Sequence, residues 1–387
     1  MNKHKKTLKL FSSFSILAIA LGLTACGGGT TTNTDGGGTT TEGGTTTEGG
    51  APTASITVPF ESTVGLTGAG ATFPASLYQN WFVGLNQKAP KLQVNYQSVG
   101  SGAGVEQFTQ QTVDFGASDV AMTDEEIAKV KKGTLLLPVT AGAIVFAYNL
   151  PGVEGLKLSR ESYVGIALGK ITKWNDPKIV ADNPDLNLPD KPIIFVHRSD
   201  GSGTTGFFTK HLAAISEEWK NKVGEGKTVQ WGPDGGKFLG GKGNEGVTAT
   251  IQQNEGAIGY VEYGYAVNND ITKASLQNAA GEFVYPTDES ASATLSNVEL
   301  PENLRAFITD PGGAESYPIV TYSWILAYDS YDDPNKAIAM EAMIQYALTE
   351  GQKSAPALGY IPLPPNVVEK VAAAADQITP DYTIKVN

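Results

Sequence analysis

The sequence predicts an α/β protein of two lobes, the second inserted in the first. Three observations predict it. Beyond residue 58, short apolar runs of strand character alternate with runs of helical spacing, the pattern of α/β architecture. That part of the chain holds about 330 residues, enough for two domains with cores of their own. Two long apolar runs, Leu135 to Tyr148 and Tyr317 to Tyr328, stand where a chain would cross into a second lobe and return.

The first residues set the address. Lys3, Lys5, Lys6 and Lys9 precede an apolar run from Leu10 to Leu23, which ends in Leu23-Thr24-Ala25-Cys26. A run so short behind a basic start has the layout of a secretory signal, not of a spanning helix. The single cysteine at the cleavage point resembles the lipobox of bacterial lipoproteins, so residues 1–25 are expected to be removed and Cys26 to carry the lipid, palmitate included. One cysteine leaves no disulfide framework, and stability must come from an ordinary core. Residues 26–58 are mostly Gly, Thr and Glu in loose repeats, which bury too little to offset their ordering entropy; they read as a flexible tether.

Without the signal, 24 Lys and Arg face 40 Asp and Glu. So acidic a chain is not built for nucleic acid. It also gives no bulk attraction for a small anion, so an anion site here has to work through local dipoles and short hydrogen bonds.

The elements follow in order. Val64 to Thr67 reads as a first strand, and Pro74 suits the first turn of the helix whose face is Leu77, Trp81 and Leu85. Thr72 stands where a cap would. Leu92, Val94 and Tyr96 alternate as a strand, Gly100 to Gly104 turns the chain, and Val105 and Phe108 open a second helical face. Val113 to Asp119 is a short strand ending on an acid, ahead of a helix start rich in Asp124, Glu125 and Glu126. Three successive strand ends thus present Thr72, Ser101 and Asp119. In open α/β sheets, ligands gather where strands end and helices begin. A helix over Arg160 to Leu168, a Pro/Asn/Asp-rich loop over 175–191 and a glycine-rich loop over 232–246 come next. Ala257 to Tyr263 is a buried strand, and Asn244-Glu245 before it looks like a helix start. Asp333-Pro334 opens an amphipathic helix carrying Ile338, Met340, Ile344 and Leu348, and Val367, Val368 and Val371 mark a last short one.

The richest stretch is HRSDGSGTTGFF, residues 197–208. A strand, Pro192 to Val196, leads into it. A helical face follows, with Phe208, Leu212, Ile215 and Trp219 spaced four, three and four apart. A strand that turns into a Gly- and Ser/Thr-rich helix start aims backbone N–H groups and hydroxyls at one point, and Arg198 adds a permanently charged fork. That is the chemistry of an anion site.

Enzyme readings fit less well. Gly201, Gly203 and Gly206 satisfy G-x-G-x-x-G, but the turn-like residues after Trp219 replace the second strand and acid of a dinucleotide site. Neither Gly236-Lys237 nor Gly241-Lys242 is followed by the Ser or Thr of a phosphate-binding loop. Gly201-Ser202-Gly203 is not a nucleophile elbow. Of the two histidines beyond the signal, His197 points away from Arg198 by strand alternation, and His211 falls on a core face. Two histidines argue against a zinc phosphatase, while a metal site made only of acids stays open.

Four separated motifs closely resemble the periplasmic phosphate-binding proteins of bacterial phosphate ABC importers, the PstS family in its lipoprotein form. They are Thr67 to Pro74, Asp114 to Asp119, Arg198 to Thr204 and Gly256 to Tyr263, in the family's order and spacing. The resemblance runs from about residue 64 to the C-terminus and implies a Venus-flytrap fold with dehydrated phosphate between the lobes. Residues 59–147 and 316–387 would make one lobe and 148–315 the other. Carried over motif by motif, the phosphate contacts would be Thr72, the Phe73 N–H, Ser101 and Asp119 from one lobe. Arg198, Ser202, the Gly203 N–H and Thr204 would come from the other, with Asp200 paired to Arg198. The family pattern implies no enzyme activity, no cofactor and no metal. It implies a monomer in the periplasm or on the outer face of the cytoplasmic membrane, held by its lipid alone and delivering phosphate to a permease and ATPase complex. The chain departs from the family at residues 232–240, which are longer than usual.

These positions fit a mechanism. Phosphate near neutral pH keeps a proton and sulfate keeps none. An ionised Asp119 accepts hydrogen bonds and donates none, so it pairs with a phosphate O–H and confronts a sulfate oxygen with like charge. Asp119 is expected to set selectivity, and Arg198 with the N–H and O–H donors to supply affinity. The alternatives are a phosphate-ester hydrolase using the same cradle and a binding protein for sulfate, molybdate or arsenate.

Overall fold

The computed structural model describes residues 56–296 and 298–386, all within one compact unit that begins at Ala51. The signal and Cys26 lie outside the described residues, as does the tether up to residue 55; Ile56 already packs in the core. The strands are β1 (Val64–Gly70), β2 (Leu92–Ser98), β3 (Phe115–Ser118), β4 (Leu135–Asn149), β5 (Lys157–Leu158), β6 (Ile194–Arg198), β7 (Lys237–Gly241), β8 (Ala257–Glu262), β9 (Thr272–Lys273), β10 (Ser275–Gln277), β11 (Phe283–Val284) and β12 (Val320–Ala327). The main sheet runs β2-β1-β3-β12-β4-β8-β6-β7, with β9 also on β4, and β11-β10-β5 form a small separate sheet.

The fold is mixed α/β, and β4 joins its halves. Leu135 to Ala143 pair antiparallel with β12, and Ile144 to Asn149 pair antiparallel with β8. Almost every residue of β4 and all of β12 are buried, as their unbroken apolar runs require. Pro138 sits inside β4 where register slips between Ser323 and Trp324. A proline has no N–H for the ladder, so a central strand takes it at such an irregularity. On either side of β4 and β12 the strands run parallel: β1 with β2 and β3, β6 with β7 and β8. Helices cross between them, burying Leu77, Trp81 and Leu85 from Ala75–Lys88, and Phe207, Phe208 and Leu212 from Gly203–Ile215.

The structure redraws four details. The helical face from Phe208 to Trp219 belongs to two helices, Gly203–Ile215 and Glu217–Lys222. Ser216 is extended between them and caps the second by accepting from the Trp219 N–H, so spacing alone overran a break. Part of the glycine-rich loop is strand β7, in parallel register with β6; the glycines within and before it hid the period. The loop over 175–191 holds a helical turn, Pro177–Asp182, capped by Asp176 with proline in its first turn. Thr72 does not cap the first helix, whose N-cap is Pro74, and its hydroxyl is engaged elsewhere.

Candidate functional site

Two sets of strand ends meet at one buried polar cluster. Thr72, Ser101, Asp119, Arg198, Ser202, Thr204 and Asn244 are all at most 4% exposed. Thr72 follows β1, Ser101 opens the helix Ser101–Thr109 after β2, and Asp119 follows β3. Arg198 ends β6, and Ser202 caps the helix Gly203–Ile215, its Oγ accepting from the Thr205 N–H at 3.0 Å. Sequence reasoning therefore placed its polar candidates together.

Asp119 is the centre of the cluster. Its Oδ1 accepts from Ser323 Oγ at 2.9 Å. Its Oδ2 faces Ser101 Oγ at 3.4 Å and Thr204 Oγ1 at 3.5 Å. The Asp119 carbonyl accepts from Thr321 Oγ1 at 3.1 Å. Burial pushes its carboxyl up to about 7; the Ser323 hydroxyl, the Arg198 charge and the Ser101 and Thr204 hydroxyls pull the other way.

Arg198 is fixed by a bidentate pair with Asp200, Nε to Oδ1 at 2.8 Å and Nη2 to Oδ2 at 2.6 Å. Burial alone would raise the Asp200 carboxyl, but Arg198 and the Gly243 N–H hold it below its ordinary range. The Arg198 N–H donates to Tyr260 OH at 3.0 Å, which ties the end of β6 to β8. Arg198 Nη1 reaches Thr204 Oγ1 at 3.4 Å.

Gly203 lies where Ser101 and Asp119 approach the helix start. A Cβ there would stand 2.4 Å from Ser101 Oγ and 2.8 Å from the Asp119 nitrogen, so only glycine fits. Phe73 is fully buried, its carbonyl accepting from Tyr360 OH at 2.7 Å and its ring meeting Tyr360 edge-on. His197 stacks on Trp231, with Nδ1 2.8 Å from the Arg198 carbonyl oxygen. His211 is buried against Tyr163 OH at 3.1 Å, and burial pushes it down to about 3. Neither ring reaches Ser202 through these bonds.

The chemistry of the cluster is that of many donors around one buried carboxyl, which accepts without donating once it is ionised. Hydroxyls, a guanidinium and the N-terminus of a 13-residue helix converge on the face that Asp119 shares. Such a set suits a tetrahedral oxyanion carrying a proton.

Known proteins place the chain. The sequence profile of the PBP superfamily domain matches residues 32–350. The phosphate-binding protein PstS of Haemophilus influenzae is 44% identical over 319 residues, covering 81% of this chain and 93% of that protein. The chain belongs to the PstS family. The PstS of Pasteurella multocida is also 44% identical, over 312 residues, covering 80% of this chain and 89% of that protein. PstS 2 of Mycobacterium tuberculosis is 32% identical over 383 residues, covering 95% and 98%. Among solved structures, a high-affinity periplasmic phosphate-binding protein with phosphate bound superposes with a TM-score of 0.66 at 20% identity, covering 84% of this chain and 96% of that one. An ancestral soluble variant of the human phosphate binding protein gives 0.65 at 21% identity, covering 84% and 97%. The PstS-family chain thus has the two-lobed periplasmic binding protein fold.

Four residues of the cluster escaped sequence reasoning. Asn244 donates from its N–H and Nδ2 to Thr72 Oγ1 at 3.1 and 2.9 Å. Ser323 and Thr321 hold Asp119, and Tyr265 OH donates to the Thr72 carbonyl at 2.7 Å. Ser323 carried a signal, a small polar residue inside an apolar strand. Asn244 had one too, the only amide in Gly241-Lys242-Gly243-Asn244-Glu245-Gly246.

Proposed function

We propose that this protein binds inorganic phosphate between its lobes and delivers it to a phosphate ABC transporter. It is a solute-binding protein and not an enzyme. The observation that carries the reading is the buried Asp119 carboxyl facing Ser101, Thr204 and Arg198 at a helix start, a group that accepts a phosphate O–H once ionised. The contacts we assign are Thr72, the Phe73 N–H, Ser101 and Asp119 from one lobe, and Arg198, Ser202, the Gly203 N–H and Thr204 from the other. Asp200 orients Arg198. The lobes we assign are residues 59–147 with 316–387, and 148–315, with β4 and β12 as the crossings. Family membership and the phosphate-binding relatives support the ligand.

The permease partner and an extracytoplasmic location follow from the same membership. Among the described residues no helix is long and apolar enough to cross a membrane. A lipid on Cys26 is our reading of the leader sequence, and mass spectrometry of the mature N-terminus tests it.

Calorimetry with a panel of anions tests the function. Phosphate should bind at micromolar concentration or tighter, a strength that several charge-assisted bonds of about 1.5–3 kcal/mol reach after the costs of closure. Molybdate should not compete, and arsenate, which is also protonated, should. A protein that ignores phosphate would end the reading. Gly203→Ala tests the assigned geometry: its methyl group would push Ser101 and Asp119 away from the helix start, and phosphate affinity should fall at least about tenfold. An unchanged titration would move the contacts elsewhere.

A further inference from the structure

Asn244 carries an inference beyond the phosphate contacts, and it rests on the phosphate reading above. The residue is fully buried and is the second residue of the helix Gly243–Gln253. Its Oδ1 accepts from the Glu262 N–H at 3.1 Å, at the end of β8. That bond fixes which way the amide faces, oxygen toward β8 and nitrogen toward the cluster. Nδ2 then lies 2.9 Å from Thr72 Oγ1 and 3.4 Å from Thr204 Oγ1, and the Asn244 N–H lies 3.1 Å from Thr72 Oγ1.

A hydroxyl offers two lone pairs and one hydrogen. Asn244 occupies both lone pairs of Thr72 with its own two donors, so the only capacity left on that oxygen is its hydrogen. The lone pairs of Thr204 face Asn244 Nδ2 and Arg198 Nη1, each at 3.4 Å. Its hydrogen is therefore also turned outward, toward Asp119 Oδ2 or an anion beside it. We propose that Asn244 is a positioning residue that sets the polarity of both threonine hydroxyls, making each a fixed donor to the bound anion. It touches Thr72 after β1 and Thr204 on the helix after β6, so one side chain orients donors contributed by both sets of strand ends. Pre-orientation removes the cost of reorganising each hydroxyl when the anion arrives.

Calorimetric titration of the full-length protein with inorganic phosphate tests this. Asn244→Leu keeps the volume and removes the side-chain donors and acceptor; we expect at least a tenfold weaker Kd. Thr72→Val removes the hydroxyl that Asn244 orients. In that background Asn244→Leu should weaken binding by a smaller factor than in the native protein, because the two act on one bond. A merely structural role would make the losses multiply. Asn244→Asp keeps the shape and the bond from Glu262 while turning the donor into an acceptor, which reverses the hydroxyls; at least a hundredfold loss is expected. It decides the matter should Asn244→Leu fail to fold. Folded variants within threefold of the native Kd, or fully multiplicative losses, would overturn the proposal, as would failure of both variants to fold. A native protein that binds no phosphate would instead end the functional reading, and this proposal with it.

Discussion

Replacing Asp119 with asparagine should let sulfate into the site. In the native protein, phosphate is expected to bind at least about a hundredfold tighter than sulfate, a gap of roughly 3 kcal/mol or more. The gap arises at one oxygen. Asp119 Oδ1 is engaged by Ser323, so Oδ2 is the face presented to Ser101, Thr204 and the anion. An ionised Oδ2 accepts a phosphate O–H, while against sulfate it sets a buried charge beside a like charge with no proton between. The amide introduced by Asp119→Asn would offer an N–H there, which welcomes sulfate and loses the phosphate O–H. Competition calorimetry of Asp119→Asn should therefore show sulfate rising toward phosphate. An unchanged preference would put selectivity in another residue.

The same substitution should change stability in a pH-dependent way. Burial raises the Asp119 carboxyl from 3.8 to about 7. Between those values the folded protein holds a proton that the unfolded chain has released. Stability in phosphate-free buffer must then fall as pH rises through that window, by an amount on the order of a few kcal/mol. Glu262 is raised by burial as well, and Glu341 is pushed up to about 7, so both add slope of the same sign. The informative quantity is the difference between Asp119→Asn and the native protein. The variant's advantage in thermal midpoint should grow from pH 5 to pH 8, and a constant difference would mean that Asp119 titrates normally.

How much of this was legible in the residues depended on whether a signal was local. The unbroken apolar runs of β4 and β12 announced buried crossings, and Asp333-Pro334 announced the start of the helix Pro334–Leu348. Each of those signals lies within a few residues. Strand β7 was hidden because Gly240 and Gly241 remove the side chains from which a period is read, and what makes it a strand is its neighbour β6. Thr72 looked like a cap because caps are local. Its true partner, Asn244, is 172 residues away and is set by the fold. Arg198, Asp200 and the Ser202-Gly203-Thr204 turn were readable because they lie within seven residues. Ser323 stood out as a polar residue in an apolar run, but its partner was not readable, since Asp119 lies 204 residues earlier, just after strand β3.

Arg198→Ala should cost both affinity and stability, and Asp200 allows the two to be separated. The guanidinium has five N–H donors. Two are fixed on Asp200 and one is directed at Thr204, which leaves donors for the anion. Losing charge-assisted bonds of about 1.5–3 kcal/mol each predicts phosphate binding at least a hundredfold weaker. The substitution also strands Asp200, whose side chain is 13% exposed and whose remaining partner is the Gly243 N–H. Removing one member of a buried pair typically costs about 3–5 kcal/mol; the surviving bond from Gly243 and partial solvent access place this case at the low end. Adding Asp200→Asn to Arg198→Ala removes the stranded charge, so the thermal midpoint should recover while phosphate binding stays lost. That divergence is the decisive reading. Recovery of affinity along with the midpoint would mean that Arg198 serves folding and leaves the anion to other donors.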